Sequence, residues 1–262
     1  MQTSHPFSLS PSRDVAQRLR REIARLERSE QFIHWGVAPF GEPSVDDRLP
    51  GGGLAYGQWH EIAGEAREEE LPAAATGFVA ALLTRHAGDG IIVWALQRDD
   101  LHIRGLLAFN LHPEKIIFVR AASDADVLAT LETALRTRGI AAVVGEVAQL
   151  SLTAGKRLQL ACERGGATGF LLRRRLYATA HENDGTAAAT RWRIAPAPSE
   201  TSEPGLGPSR WRVRLERSRG GRQGAWIMET EHATGDVRVV AELADHPMAA
   251  RHEGDRLTGT GF

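Results

Sequence analysis

The sequence is short of the residues that several classes of protein need. It has a single cysteine, Cys162, which excludes an internal disulfide, and no apolar run approaches the roughly 18 residues of a membrane-spanning helix. The first residues, MQTSHPFSLSPSRD, have neither the basic start nor the apolar stretch of a secretory signal. We therefore expect a cytoplasmic protein without a membrane partner.

Lysine is scarce as well. Of the 32 basic residues only Lys115 and Lys156 are lysines, and the formal net charge is −1, so nucleic-acid binding would depend on a local patch. The histidines form no close ligand pattern with cysteine or aspartate, and Cys162 is best interpreted as a small buried residue. The sequence thus predicts no metal, no cofactor and no catalytic residue.

Composition and periodicity divide the chain into three parts. Residues 1–39 contain an amphipathic helix and a connector, 40–244 form the core, and 245–262 read as a flexible tail. Two interpretations of the helix stay open, since it could dock on the core as a surface helix or pack on a neighbouring subunit. Self-association is therefore an expectation that the pattern leaves undecided.

Short apolar runs alternate with helical patterns through the core. Such alternation favours an α/β fold with a mainly parallel sheet covered by helices on both faces. A loop rich in Arg, Pro and Gly follows at 176–209, interrupted by a short strand at 191–195. Alternating runs with turns at Gly220 and Gly235 then predict an antiparallel extension. The predicted strands are 58–63, 90–96, 115–121, 140–150 and 166–174, of which 90–96, 115–121 and 140–150 are of the buried type, and the predicted helices are 72–87, 101–107 and 124–138.

Three stretches carry a resemblance to a known family. LPGGGLAYGQWHEIAG resembles the entry strand of the RecA-type ATPase core, and with AAATRWRIAPAPS and RWRVRLERSRGGRQGAW it resembles the ImuA family of RecA-like, SulA-related proteins. The resemblance runs from about 40 to 240. It implies a RecA-like fold and a role in translesion synthesis during the SOS response. It also implies an ImuB-like Y-family polymerase homologue as partner, with an error-prone replicative-type DNA polymerase as an indirect one.

The phosphate loop that this resemblance implies has lost its chemistry. Counting G-x-x-x-x-G-K-[ST] from Gly64 places Glu69 at the second glycine, Glu70 at the lysine and Leu71 at the hydroxyl residue. The lysine of an intact loop reaches the β- and γ-phosphates and the hydroxyl binds magnesium, whereas glutamates repel phosphate. We interpret this turn as a degenerate phosphate loop.

The other catalytic positions implied by the resemblance are also degenerate. Gln97 stands where a strand should end in the acidic residue that activates water, and the Walker B aspartate falls on Gly145, with Glu146 beside it. Glutamine orients a water but is a poor base. We therefore expect a protein that is not an enzyme.

Arginines interleaved with Trp192 and Trp211 form the candidate binding segment. Guanidinium groups beside exposed aromatic rings are typical of single-stranded DNA sites, because the rings stack on bases. Two other interpretations stay open: contact with a protein, or the solvated face of an alternating strand. The candidate residues are Arg173, Arg174, Arg175, Arg191, Trp192, Arg193, Arg212 and Arg214.

The leading hypothesis is a non-catalytic RecA-like accessory protein of damage-induced translesion synthesis and mutagenesis. It would act by binding an ImuB-like partner, with single-stranded DNA as a further candidate ligand. The alternatives are a DNA-dependent ATPase of RecA type with a displaced motif, and a SulA-like inhibitor of cell division.

Overall fold

Part of the predicted organisation lies outside the residues that the structure describes. This applies to the N-terminal helix, the C-terminal tail and most of the acidic turn, so their boundaries stay predictions. The computed structural model describes residues 35–65, 73–174, 186–200, 207–231 and 234–243.

The described residues form strands, α-helices and short 3₁₀ helices. The strands are β1 (Val37–Ala38), β2 (Leu54–Ala55), β3 (Trp59–Gly64), β4 (Ile91–Leu96), β5 (Ile116–Arg120), β6 (Ile140–Val147), β7 (Thr168–Arg173), β8 (Thr190–Pro196), β9 (Arg210–Ser218), β10 (Gly224–Thr230) and β11 (Val237–Leu243). The α-helices are α1 (Pro43–Asp46), α2 (Ala73–Ala87), α3 (Asp124–Leu135) and α4 (Leu152–Gly165), and the 3₁₀ helices are Pro50–Gly52, Ile103–Phe109 and Pro113–Lys115.

Nine strands form one sheet in the order β11-β10-β9-β8-β3-β7-β6-β4-β5, and β1 pairs with β2 separately. The strands from β5 across to β8 are parallel to their neighbours. Beyond β8, the strands β9, β10 and β11 continue the sheet in antiparallel order. The predicted α/β fold, with a mainly parallel sheet and an antiparallel C-terminal extension, is confirmed.

β8 is the strand that the sequence places inside the predicted loop at 176–209. It runs parallel to β3 on one side and antiparallel to β9 on the other. Trp192 and Ile194 of β8 are buried on the face of the sheet that α2 covers. The short strand predicted at 191–195 is therefore an interior strand, and it divides the predicted loop into two connections.

Helices cover the two faces of the sheet with separate apolar clusters. On one face Phe78 of α2 packs in a cluster with Trp94 and Trp192. On the other face α3 and α4 enclose a second cluster that includes Trp59 and Leu158. These five side chains are at most 2% exposed, so each face contributes a dry layer to the core.

The ends of α3 and α4 follow from local sequence. Ser123 precedes α3 and its hydroxyl accepts a hydrogen bond from the Asp126 backbone N–H at 3.2 Å. Ser151 caps α4 in the same way, accepting from the Ala154 backbone N–H at 3.2 Å. Gly166 ends α4 with a φ of 78°, a conformation that favours glycine.

Two elements differ from what the sequence predicts. β5 is predicted to be buried but lies at the edge of the sheet, with half of Ile117 exposed. A short apolar run alone does not distinguish a central strand from an edge strand. The helical pattern at 101–107 forms the 3₁₀ helix Ile103–Phe109, which ends where Asn110 takes a left-handed φ of 55°.

Candidate functional site

The carboxyl ends of β3, β4, β6, β7 and β8 meet at one edge of the sheet, which we call the carboxyl edge. Ligand sites of open α/β sheets lie at such an edge. β3 ends at Gly64 and α2 begins at Ala73, so strand, turn and helix follow in the order that a phosphate loop needs. Glu69, Glu70 and Leu71 lie outside the described residues.

Glu65, the first residue after β3, is bound by two arginines of β9. Its carboxylate accepts hydrogen bonds from Arg212 at 3.0 and 2.6 Å and from Arg214 at 2.7 Å. Its backbone N–H also donates to the carbonyl of Ile194 at 2.8 Å. The entrance to the expected phosphate loop thus holds a carboxylate whose charge is balanced within the chain.

Gln97 is fixed by hydrogen bonds at the end of β4. Its side-chain amide donates to Asp124 at 2.6 Å and to the backbone carbonyl of Glu146 at 3.3 Å. Asp124 in turn accepts from the backbone N–H groups of Ala148, at 3.1 Å, and Gln149, at 2.8 Å. In this arrangement Gln97 joins β4 to the start of α3 and the end of β6.

Gly145 and Glu146 face opposite sides of β6. A Cβ at Gly145 would lie 2.5 Å from a methyl carbon of Leu131 in α3, so the packing of that helix requires glycine here. Glu146 lies on the other face, where it contacts Trp94 in the layer that α2 covers. The carboxylate on the α2 side of β6 is therefore Glu146, not the residue at the position that the sequence count assigns to aspartate.

Glu146 is a buried carboxylate with two hydrogen-bond donors. Trp94 donates its indole N–H at 2.9 Å and Arg174 donates Nε–H at 3.0 Å. Burial raises the pKa of Glu146, and the charge of Arg174 opposes that shift. Asp100 also contacts Arg174, at 3.4 Å, so one guanidinium is shared by two carboxylates.

Glu61 of β3 forms a second buried charged cluster, which sequence reasoning missed. Arg173 of β7 approaches its carboxylate at 3.2 Å, and Arg191 of β8 approaches it at 3.3 Å. A lone acidic residue in an otherwise apolar central strand was the available signal, because a buried charge needs a partner. The neighbours of β3 in the sheet supply both arginines.

Most of the predicted arginine site is held inside the protein. Arg193 binds Glu216 at 3.1 Å, and Arg173, Arg174 and Arg191 bind the two buried carboxylates. Among the candidate arginines that the structure describes, Arg212 and Arg214 have side chains 50% and 36% exposed. Each of the others is under a fifth exposed, and Arg175 lies outside the described residues.

The prediction that Trp192 and Trp211 are exposed platforms for bases is wrong. Trp192 is 0% exposed and Trp211 is 3% exposed. Side chains alternate along β8 and β9, so that these rings point into the core while Arg193 and Arg212 point to the opposite face. Neither ring has a face open for stacking.

Comparison with known proteins decides the family. The chain is 47% identical over 234 residues to Protein ImuA of Caulobacter vibrioides strain NA1000 / CB15N, and the match covers 84% of this chain and 96% of that protein. Protein ImuA of strain ATCC 19089 / CIP 103742 / CB 15 gives the same values. No family model matches the chain. The chain belongs to the ImuA family.

A cavity of about 630 Å³ opens beside the carboxyl edge of this ImuA-family chain. Its walls come from the first turns of α2, from the segment after β4, from Arg174 after β7, and from the described ends of the connection between β8 and β9. Asp100, Arg174 and Arg210 contribute the charged groups of its lining. The cavity thus lies next to the Glu146 and Arg174 pair.

Two buried histidines lie on the α2 side of the sheet in this member of the ImuA family. The ring of His60 donates to the carbonyl of Ala55 at 3.1 Å and accepts from the hydroxyl of Thr190 at 2.8 Å. His86 pairs with Thr168 at 2.8 Å. Burial lowers the pKa of His60 to about 4, and burial and the nearby His60 lower that of His86.

The part of the chain that the structure describes contains neither a metal-binding group of side chains nor a helix that could span a membrane. No group of three or more His, Cys, Asp or Glu residues there could hold a metal ion. No helix in the same part is long and apolar enough to cross a membrane. Cys162 is buried in α4, as predicted, and burial raises the pKa of its thiol.

Proposed function

We propose that the chain is a non-catalytic, RecA-like accessory protein of damage-induced mutagenesis that acts by binding a polymerase-like partner of the ImuB type. Membership of the ImuA family supports a role in the ImuA/ImuB mutagenesis system. An error-prone replicative-type DNA polymerase is then an indirect partner, connected to the chain through the ImuB-like protein. The order of the parallel strands, β5-β4-β6-β7-β3-β8, supports the RecA-like fold that the sequence resemblance implies.

The pairing of Glu65 with Arg212 and Arg214 is the observation that carries the non-catalytic part. A phosphate loop needs cationic and N–H groups directed at the ligand, but here the first side chain after β3 is an anion. Arg212 and Arg214 both pair with Glu65, so their guanidinium groups are directed at a carboxylate of the chain and not at a phosphate.

Nucleotide titration tests this part of the proposal. Calorimetry of the full chain with magnesium and ATP should show no saturable binding at micromolar concentrations, and phosphate release should not rise when single-stranded DNA is added. A RecA-type ATPase with an intact loop provides the positive control. Micromolar binding with DNA-stimulated hydrolysis would replace the proposal with the displaced-motif ATPase.

Co-purification tests the binding role. The full chain should retain an ImuB-like protein and should not retain the tubulin-like division protein. Retention of the division protein alone would overturn the mutagenesis role in favour of a SulA-like regulator. The comparison is informative because both partners are presented to the same folded chain.

Contact with single-stranded DNA is a second candidate function, favoured by the exposure of Arg212 and Arg214. Anisotropy of a labelled oligonucleotide should show salt-dependent binding, and replacing both arginines by glutamate should lower the salt slope by about two. Arg120 is a matched control, since its side chain is 63% exposed and pairs with Asp99 near the opposite edge of the sheet. Equal loss in Arg120→Glu would refute a localised site.

A further inference from the structure

The cavity beside the carboxyl edge has an apolar interior. Four parts of the chain that are distant in sequence build its walls. A volume of about 630 Å³ is within the range of binding pockets, which hold one or two bulky side chains or a small molecule. Its apolar walls include Ala74, Gly77, Leu106, Phe109, Ala197 and Trp211.

The shape of the cavity depends on a close contact at Gly77. A Cβ there would lie 2.9 Å from the ring of Phe109, so glycine lets the segment after β4 approach α2. The rings of Phe109 and Trp211 stack at a centroid distance of 6.0 Å and an angle of 26°. The cavity is therefore built from packed elements of the core.

Apolar side chains also lie outside the cavity. Ile103 and Leu107 belong to the 3₁₀ helix that forms one wall, and they are 42% and 49% exposed. Exposed apolar side chains next to an apolar cavity are typical of protein-interaction surfaces. The cavity and these exposed side chains together suit a partner segment that carries one bulky anchor side chain and further apolar side chains beside it.

Charge at the cavity favours a basic partner over a phosphate. Arg174 and Arg210 line the cavity, but each is under a sixth exposed and each is held by a buried carboxylate. Their second partners, Asp100 and Glu200, have side chains 41% and 84% exposed, so carboxylates reach the solvent at these two points. Asp100 lines the cavity, and Glu200 is connected to it through its ion pair with Arg210. Arg104, exposed on the segment after β4, does not line it.

We propose that this cavity is the docking site for a segment of a protein partner that inserts one bulky apolar side chain and places a Lys or Arg against Asp100 and Glu200. The inference rests on the proposed function, because it takes the ImuB-like protein as the source of that segment. A nucleotide or a DNA strand fits less well, since its phosphates would face the same two carboxylates.

Substitutions beside and inside the cavity test the proposal against one matched control. Leu107→Asp should weaken binding of the ImuB-like protein at least tenfold, because a charged group on the 3₁₀ helix that forms one wall opposes apolar docking. Gly105→Leu should do the same by filling the cavity. Gly105 lines the cavity, and a Cβ there would lie 3.5 Å from His102, which is an ordinary contact. Leu160→Asp is the control, since Leu160 is 50% exposed on α4, across the sheet.

Charge reversal tests the second half of the proposal. Glu200→Lys should weaken binding several-fold at low salt and less at high salt, because the partner's basic residue would meet a like charge. Thermal unfolding of every variant should match the wild-type chain. Binding should be measured by titrating the purified full chain into the labelled ImuB-like protein.

The outcomes separate this inference from the proposed function. If the wild-type chain does not bind the ImuB-like protein, the proposed function fails and the inference fails with it. If the wild type binds and the Leu107, Gly105 and Glu200 variants bind equally well, the inference fails alone. Displacement of the bound partner by a mononucleotide or an oligonucleotide, in the wild type but not in Gly105→Leu, would also overturn it.

Discussion

Leu131 of α3 fills the space that a side chain at Gly145 of β6 would need. Replacing Gly145 by the aspartate that a Walker B strand carries should therefore destabilise the protein instead of creating a metal site. Gly145→Asp should cost about 3 kcal/mol or more, because it combines a clash in the core with a buried, unpaired carboxylate. Urea denaturation measures the change.

Ala148→Asp provides the matched control for that substitution. Ala148 follows β6 and is exposed, so a carboxylate there should change the free energy of unfolding by less than about 0.5 kcal/mol. If Gly145→Asp were as stable as the control, α3 could not be packed against β6 as described.

The buried Glu61 cluster should be sensitive to loss of its carboxylate. Glu61→Ala leaves Arg173 and Arg191 facing each other in the interior and should destabilise the fold by about 3 to 5 kcal/mol. Glu132→Ala is the control, because Glu132 also contacts two arginines but their side chains are at least half exposed. It should cost below about 1 kcal/mol. Equal losses in denaturant titrations would contradict the role assigned to burial.

The two buried histidines should make the fold sensitive to acid. The pKa of His60 is about 4 in the folded chain and lies near 6.5 when unfolded, so the neutral form is the one compatible with folding. Its contribution is complete above pH 6.5 and is lost as pH falls from 6.5 towards 4. His60 alone should lower the free energy of unfolding by about 2 kcal/mol between pH 7 and pH 5.

Denaturation series at several pH values measure this dependence. His60→Gln should flatten the slope between pH 7 and pH 5, even if it lowers stability at pH 7. His112→Gln should leave the slope unchanged, since about half of the His112 side chain is exposed. A slope that does not respond to His60→Gln would show that the histidine titrates normally in the folded protein.

Releasing the arginines that Glu65 holds should strengthen contact with single-stranded DNA. Glu65→Gln removes the negative charge from Arg212 and Arg214 and should raise oligonucleotide affinity several-fold at low salt. Glu216→Gln is the control, because its partner Arg193 is only 17% exposed. Anisotropy at two salt concentrations distinguishes the variants. An unchanged affinity in Glu65→Gln would count against DNA contact at this surface.

The local sequence pattern predicted the helices and strands more accurately than it predicted the burial of individual side chains. The strands of the large sheet, their turns and the helices α2 and α3 follow from apolar periodicity, which is a property of neighbours in sequence. The burial of Trp192 depends on β8 lying beside β3, and the exposure of Ile117 depends on β5 lying at an edge. Strand order is a property of the whole sheet, so a segment alone does not reveal it.

The candidate site shows the same limit. Sequence counting placed the expected phosphate loop after β3 and selected the arginines as a candidate binding segment, but it did not find their carboxylate partners. Their carboxylate partners come from other strands, and Glu61 and Arg191 are 130 residues apart in the chain. Composition shows an excess of arginine in the candidate binding segment. In the structure, each described candidate arginine pairs with a glutamate.

The position of β8 has a consequence for how the chain is made. β3 is synthesised early, but one of its two neighbours in the sheet pairs with it through residues such as Thr190, 130 positions later than His60. Until the ribosome has passed Pro196, β3 has an open edge of unpaired backbone groups, which is the kind of edge that recruits other strands. A nascent or prematurely terminated chain that ends before this point would therefore be exposed to aggregation, and the C-terminal third completes the centre of the sheet.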